Sequence, residues 1–282
     1  MTKNPNLFLI AFCLAFVLPD TANSQTLKLP PTNPVSTMEM TVGKESFGSY
    51  FEPPPMGPKS GGKVSVFVET KRSNWFLSGN GQFTRGLFDK NGFSLKAKNE
   101  FFSKRLLKVD VGLSYSYSKT KERFFGIDRL RLIGSTNKNS VLASMGIGHG
   151  VYDQNNFRFS LLIGYARMKH ILDIYVDNQL SNLDNNDFGK DSRIVIGEEI
   201  STSLKPSKNL VIEVTGRHFK APVNKQKIIP SDYLVAEGRV IFSVYKNLGI
   251  SVRGTYVSNP YNLEFASRSA EIGVAIRIKP AH

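Results

Sequence analysis

Leu107-Lys108-Val109-Asp110-Val111-Gly112-Leu113-Ser114-Tyr115-Ser116-Tyr117-Ser118 alternates apolar and polar side chains without a break. In an extended chain successive side chains point to opposite faces, so this stretch reads as a strand with one apolar and one polar face. The same row returns at Phe157, Phe159, Leu161, Ile163 and Tyr165, and again at Ala270, Ile272, Val274, Ile276 and Ile278. Shorter rows occur at Val64, Val66, Val68, at Phe93, Leu95, Ala97, and at Leu210, Ile212, Val214. No helical period of comparable length competes with them, and no repeat of fixed length is present.

Working outward, the pattern places about ten strands (a count of 8–12), near 63–77, 92–102, 105–118, 139–151, 156–168, 192–204, 209–220, 232–245, 247–258 and 267–279. Short turns at Ser103-Lys104, Asp153 to Asn155, Pro206 to Lys208 and Lys246-Asn247 alternate with longer loops near 78–91, 119–138, 169–191, 221–231 and 259–266. An even number of strands with one short-turn end and one long-loop end is the layout of a transmembrane β-barrel, with short periplasmic turns and longer extracellular loops.

The 282 residues carry 37 Lys+Arg, 23 Asp+Glu and one Cys. A hydrophobic fraction of 40% excludes wholesale disorder, and one Cys excludes a disulfide scaffold or a multi-Cys zinc site. Residues 1–24 have the form of a secretory signal peptide: Lys3, an apolar run from Leu7 to Leu18, then Ala22-Asn23-Ser24. That run is too short to span a bilayer, and no later stretch reaches eighteen apolar residues. Residues 25–62 hold Pro30, Pro31, Pro34, Pro53, Pro54, Pro55 and Pro58 and end in Ser60-Gly61-Gly62, which reads as a periplasmic linker. The barrel domain is therefore expected over 63–282.

Soluble barrels also alternate, but three features favour the membrane version. Most candidate strands run eleven to fourteen residues, enough to cross a bilayer with tilt. The polar faces carry small residues (Gly112, Gly146, Gly148, Gly164, Gly197, Gly249, Gly273) that suit a narrow lumen. Tyr117, Phe157, Tyr165, Tyr245 and Tyr256 fall near strand ends, where interfacial girdles sit. In these respects residues 63 to 280 resemble the superfamily of Gram-negative outer-membrane β-barrel proteins. The last strand is similar to their assembly signal, polar-x-Gly-x-x-hydrophobic-x-aromatic, at Glu271, Gly273, Ile276 and Ile278, except that Ile278 is not aromatic and four residues follow it. The resemblance implies export through the secretory pathway, residence in the cell outer membrane and handling by the barrel-assembly machinery.

Strict parity turns Glu198 toward lipid; a β-bulge at Glu198-Glu199 would turn it inward, and the sequence leaves both open. On the polar faces the sequence gathers a charge network: Lys96, Lys108, Asp110, Arg158, Arg193, Glu213, Arg217, Glu237, Arg239, Arg253, Glu271 and Arg277. Lys98, Glu69, Glu100 and Glu199 share their parity. In a lumen far narrower than that of a 16–18-stranded porin such charges must pair, since an unpaired buried charge is costly. They either fill the barrel with ion pairs or line a narrow solute pore.

No nucleophile motif, P-loop, H-E-x-x-H or dinucleotide fingerprint is present, and His149, His170, His218 and His282 lack metal-ligand spacing. The sequence thus indicates no catalytic residue, cofactor or metal. The net charge of +14 is expected to meet outer-membrane lipid and lipopolysaccharide, with Lys119, Lys121, Arg123, Arg129 and Arg131 as candidates, and not nucleic acid. Three functions follow. The first is a structural or surface-interaction barrel, or a narrow pore. The second is a membrane-embedded hydrolase or lipid-modifying enzyme, and the third a soluble periplasmic lipid-binding barrel.

Overall fold

The computed structural model describes residues 35–48, 59–72, 74–103, 107–124, 130–150, 156–176, 179–180, 187–220, 232–245, 247–258 and 267–278. All of them lie in the compact unit Asn33–His282. The expected signal peptide falls in the unit Met1–Thr32, outside the described residues.

The described residues form strands and no helix. In chain order the strands are β1 (Val35–Phe47), β2 (Lys59–Arg72), β3 (Trp75–Gly86), β4 (Phe88–Ser103), β5 (Lys108–Phe124), β6 (Leu130–Gly150) and β7 (Asn156–Val176). They continue with β8 (Gln179–Leu180), β9 (Asp187–Ser207), β10 (Leu210–Lys220), β11 (Asp232–Tyr245), β12 (Leu248–Val257) and β13 (Ser267–Ile278). β8 is a two-residue appendage on β7. The other twelve pair antiparallel with their neighbours, and β1 pairs with β13, so the sheet closes on itself. Closure removes both edges, which satisfies the backbone without help from solvent.

Twelve strands form the ring, within the expected 8–12 and two more than the ten placed, and the two additions have clear causes. β3 reads WFLSGNGQFTRG, poor in β-branched residues, and passes for a loop on propensity. Its backbone is held between β2 and β4, so the ladder overrides propensity. β1 lies inside the segment 25–62 expected as a linker. The prolines on either side hide a period-two row, Met38, Met40, Val42 against Glu39 and Thr41. The linker boundary is thereby corrected: Val35–Phe47 is a wall strand, and β2 begins at Lys59, ahead of the expected Lys63.

At the β1–β13 seam Thr41 faces Gly273 and Gly43 faces Glu271. A Cβ on Gly43 would lie 1.9 Å from the Ala270 carbonyl oxygen, and one on Gly273 would lie 1.9 Å from that of Met40. Neither position has room for a side chain.

The connections keep the expected polarity. One end carries the spans 73–74, 104–107, 151–155, 208–209 and 246–247; the other carries 48–58, 125–129, 177–186, 221–231 and 258–266, with the tight β3–β4 turn at Leu87 as its exception. Outward rows on β5 (Val109 to Tyr117) and β7 (Phe157 to Tyr165) are each nine residues tall, the length needed to cross with tilt. Above them, toward the long-loop end, the outward residues become Lys119 and Lys121 on β5 and Arg167 and Lys169 on β7. Ile163, Ile194, Met145 and Val244 are each more than half exposed, as an apolar outer wall requires, while Glu39, Asp110, Glu199 and Glu271 are buried inside. The barrel is inside-out relative to a soluble one.

Candidate functional site in the lumen

Because strand parity turns alternate residues inward, the lumen collects the polar face of every strand, and ion pairs cross it at several levels. Nearest the short-turn end, Arg158 reaches Glu100 at 3.1 Å and Asp110 at 2.9 Å, and Lys108 pairs with Glu100 at 3.5 Å. The Arg158–Asp110 pair is close but badly angled for a hydrogen bond, so charge, not direction, holds it. Gly146 makes the space: a Cβ there would come within 2.5 Å of Ser160 Oγ and 3.2 Å of both Asp110 oxygens.

Arg239 on β11 ties three other strands together. It binds Glu39 on β1, Glu69 on β2 at 3.3 Å and Glu213 on β10 at 2.7 Å. Ser251 donates a second hydrogen bond to Glu39. Phe67 stands in the lumen beside it, with the guanidinium carbons of Arg239 and Arg253 at 4.8 and 4.6 Å from its ring centre.

Glu199 on β9 is the central hub. It accepts Lys96 at 3.1 Å, Lys98 at 3.2 Å and Arg217 at 2.7 Å, and Arg217 continues to Glu237 at 3.2 Å. Further toward the long-loop end Lys63 pairs with Glu271 at 2.8 Å, with Thr41 donating to the same carboxylate, and Glu45 holds Lys90 and Thr84. Between these levels lies a cavity of about 370 Å³ bordered by Phe67, Phe76, Lys96, Arg217 and Arg253.

An apolar cluster also faces inward, on the side of β7, β9 and β10. Leu162, Ala166, Met168, Val195 and Phe219 are buried together, and Phe219 stacks on Tyr233 at 4.8 Å. Alternation alone gave no sign of it, since the inward face was read as polar.

Of the residues singled out by parity, Lys96, Lys108, Asp110, Arg158, Glu213, Arg217, Glu237, Arg239 and Glu271 sit in these networks. Arg193 pairs separately with Asp191 at 2.7 Å. Arg253 rests on Phe67. Arg277 shares the lumenal parity but is exposed at the end of β13. Glu39 and Glu45 lie in the expected linker and Lys90 in an expected loop, so parity does not reach them, although the Met38-Glu39-Met40-Thr41-Val42 alternation is the available signal; Lys63 opens the expected strand 63–77 but is not among the expected network residues.

Glu198 faces outward without a bulge and pairs across the strands with His218 at 3.3 Å. Among the described residues no group of three His, Cys, Asp or Glu is placed to hold a metal ion.

No protein-family model matches the chain, and no curated protein matches it in sequence. Solved structures do. The translocator domain of the autotransporter NalP from Neisseria meningitidis superposes with a TM-score of 0.57 at 15% identity, over 97% of this chain and 96% of that one. The NanC porin gives 0.52 at 9% identity, over 85% of this chain and all of that one. Likeness at this identity shows the fold alone, a closed antiparallel β-barrel.

Proposed function

We propose that this chain is a non-enzymatic outer-membrane barrel of structural or surface-interaction type, its lumen filled by ion pairs. The observation that carries this reading is Arg239, whose one guanidinium reaches past β12 and β13 to Glu39 on β1 and Glu69 on β2 while also holding Glu213 on the adjacent β10. The Glu199 hub, which joins β9 to β4, and the Leu162–Phe219 cluster support it by filling other parts of the lumen. Among the described residues each buried Lys, Arg, Asp or Glu has an opposite charge within reach, which makes the arrangement self-consistent as a core. Export by the secretory pathway, insertion by the barrel-assembly machinery and a setting in outer-membrane lipid and lipopolysaccharide belong to the same proposal.

Planar-bilayer recording is the test. The filled barrel conducts poorly or not at all; large, ion-selective conductance of the unaltered protein overturns it. The second reading, a narrow pore for small charged solutes, rests on the cavity of about 370 Å³ within the charge layers, and steady wild-type conductance would put it first.

A further inference from the structure

Arg253 on β12 borders the lumenal cavity of about 370 Å³, and its charge is used differently from that of its neighbours. Its guanidinium rests on the Phe67 ring at 4.6 Å, and among the described residues it makes no ion pair or hydrogen bond. The carboxylates around it are engaged elsewhere. Glu271, its register partner on β13, holds Lys63 at 2.8 Å and accepts from Thr41. Glu237, whose field reaches it, binds Arg217 at 3.2 Å, and Glu69 and Glu213 bind Arg239. A guanidinium carries its N–H donors in a planar fork that fits a carboxylate through two parallel hydrogen bonds. Arg253 brings that fork to the cavity with no acceptor among the described residues.

Around Arg253 the wall offers hydroxyls from Ser78, Ser94, Thr215 and Thr255 and amides from Asn80 and Gln82. Asn80 on β3 is the register partner of Phe67, the ring that Arg253 covers. Its Oδ1 is withdrawn from solvent with no hydrogen-bond partner among the described residues, and the same holds for Arg239 Nε on the same wall. Buried polar atoms are normally satisfied, so these two mark a place where an acceptor and a donor still have bonds to make. The volume lies in the range of small-molecule sites. The bordering residues run from Phe76 up to Glu45, Lys90 and Ser267 toward the long loops, and Arg158, Glu100, Lys108 and Asp110 do not border it.

We propose that this cavity binds a small hydroxylated carboxylate, entering from the long-loop side. The carboxylate takes the Arg253 fork in charge-assisted hydrogen bonds, and the hydroxyls meet Asn80, Thr215 and Thr255. A single negative charge suits the site, because Lys63, Lys96, Arg217 and Arg239 already hold carboxylates of the chain. A neutral polyol lacks the ion pair, and a plain alkanoate leaves the amide and hydroxyl groups without partners. The site goes beyond the structural reading above and needs no flow through the barrel; bilayer conductance, which tests that reading, is a separate measurement.

Isothermal titration calorimetry of the full chain folded in detergent tests the site. Gluconate is the probe, sorbitol its uncharged counterpart, and hexanoate a carboxylate without hydroxyls. The wild type should bind gluconate at millimolar concentration and more tightly than either of the others. Arg253→Gln should weaken gluconate roughly tenfold or more, with heat-modifiable gel mobility intact because no partner charge is stranded. Asn80→Ala should bring gluconate down toward hexanoate and leave hexanoate unchanged, a second readout that does not depend on the Arg253 variant folding. Arg277→Gln removes an exposed cation outside the cavity and should bind as the wild type does. No gluconate binding by the folded wild type, equal binding of sorbitol, unchanged binding in Arg253→Gln, or equal loss in Arg277→Gln overturns the site.

Discussion

Arg239 Nη2 donates to Glu39 Oε1 across the lumen, joining β11 to β1 between residues 200 positions apart. Both side chains are withdrawn from solvent, and the same guanidinium also serves Glu69 and Glu213. The pair therefore reaches past β12 and β13 to the strand whose closure completes the ring.

Removing this guanidinium should be felt as stranded charge. Arg239→Ala leaves three carboxylates facing one another in a poorly solvated interior, and is expected to cost about 3–5 kcal/mol. Denaturant titration of the detergent-folded barrel measures it. Single-channel recording of the same variant should show a leak where the wild type is closed.

Glu199→Gln strands the opposite sign, since Lys96, Lys98 and Arg217 all converge on that carboxylate. A comparable loss, about 3–5 kcal/mol, is expected. Whatever current this variant passes should favour anions, whereas that of Arg239→Ala should favour cations. Reversal-potential measurements in a salt gradient decide the sign.

Deleting 35–47 opens the sheet between β2 and β13 and exposes two edges. The heat-modifiable band should disappear. Gly273→Val should do the same more economically, because its side chain would meet the Met40 carbonyl at the seam. Val274→Leu, outward on the next residue, serves as the tolerated control.

His170 lies on β7 five residues beyond Tyr165, above the outward apolar belt, with Nδ1 2.8 Å from Thr136 Oγ1. Burial pushes its pKa down to about 4. The folded value is below the unfolded one of about 6.5, so the unfolded state binds the extra proton between them. The contribution to stability is complete above pH 6.5 and falls as pH drops toward 4. An NMR titration of the imidazole should show its midpoint near 4; a midpoint near 6.5 means the ring is solvated.

Sequence reading reached most of the wall and much of the lumen, and its failures have physical causes. β11 was placed at 232–245 because its alternation is bounded by clear turns. β1 and β3 were lost, one beside prolines and one rich in Gly and Asn, because strand propensity is weak against the hydrogen bonds of a closed ladder. Losing β1 hid Glu39 and Glu45, and the expected loop 78–91 covered Lys90 at the start of β4, so the partners that complete Arg239 and the level above it were hidden. Glu198 posed a real ambiguity in one dimension; its answer depended on His218 lying opposite, on a neighbouring strand.

The amino-acid sequence by itself determined the period of two, the outward sign of the apolar rows and the inward parity of the charges. All of these are local, set by the pleat of an extended chain. Which charges meet was decided only by the tertiary structure. Arg158 finds Asp110 and Glu100, Arg217 finds Glu199 and Glu237, and Arg239 finds Glu39, according to how many strands close the ring and in what register. Strand number and register set the diameter and stagger of the barrel, and no single strand carries that information.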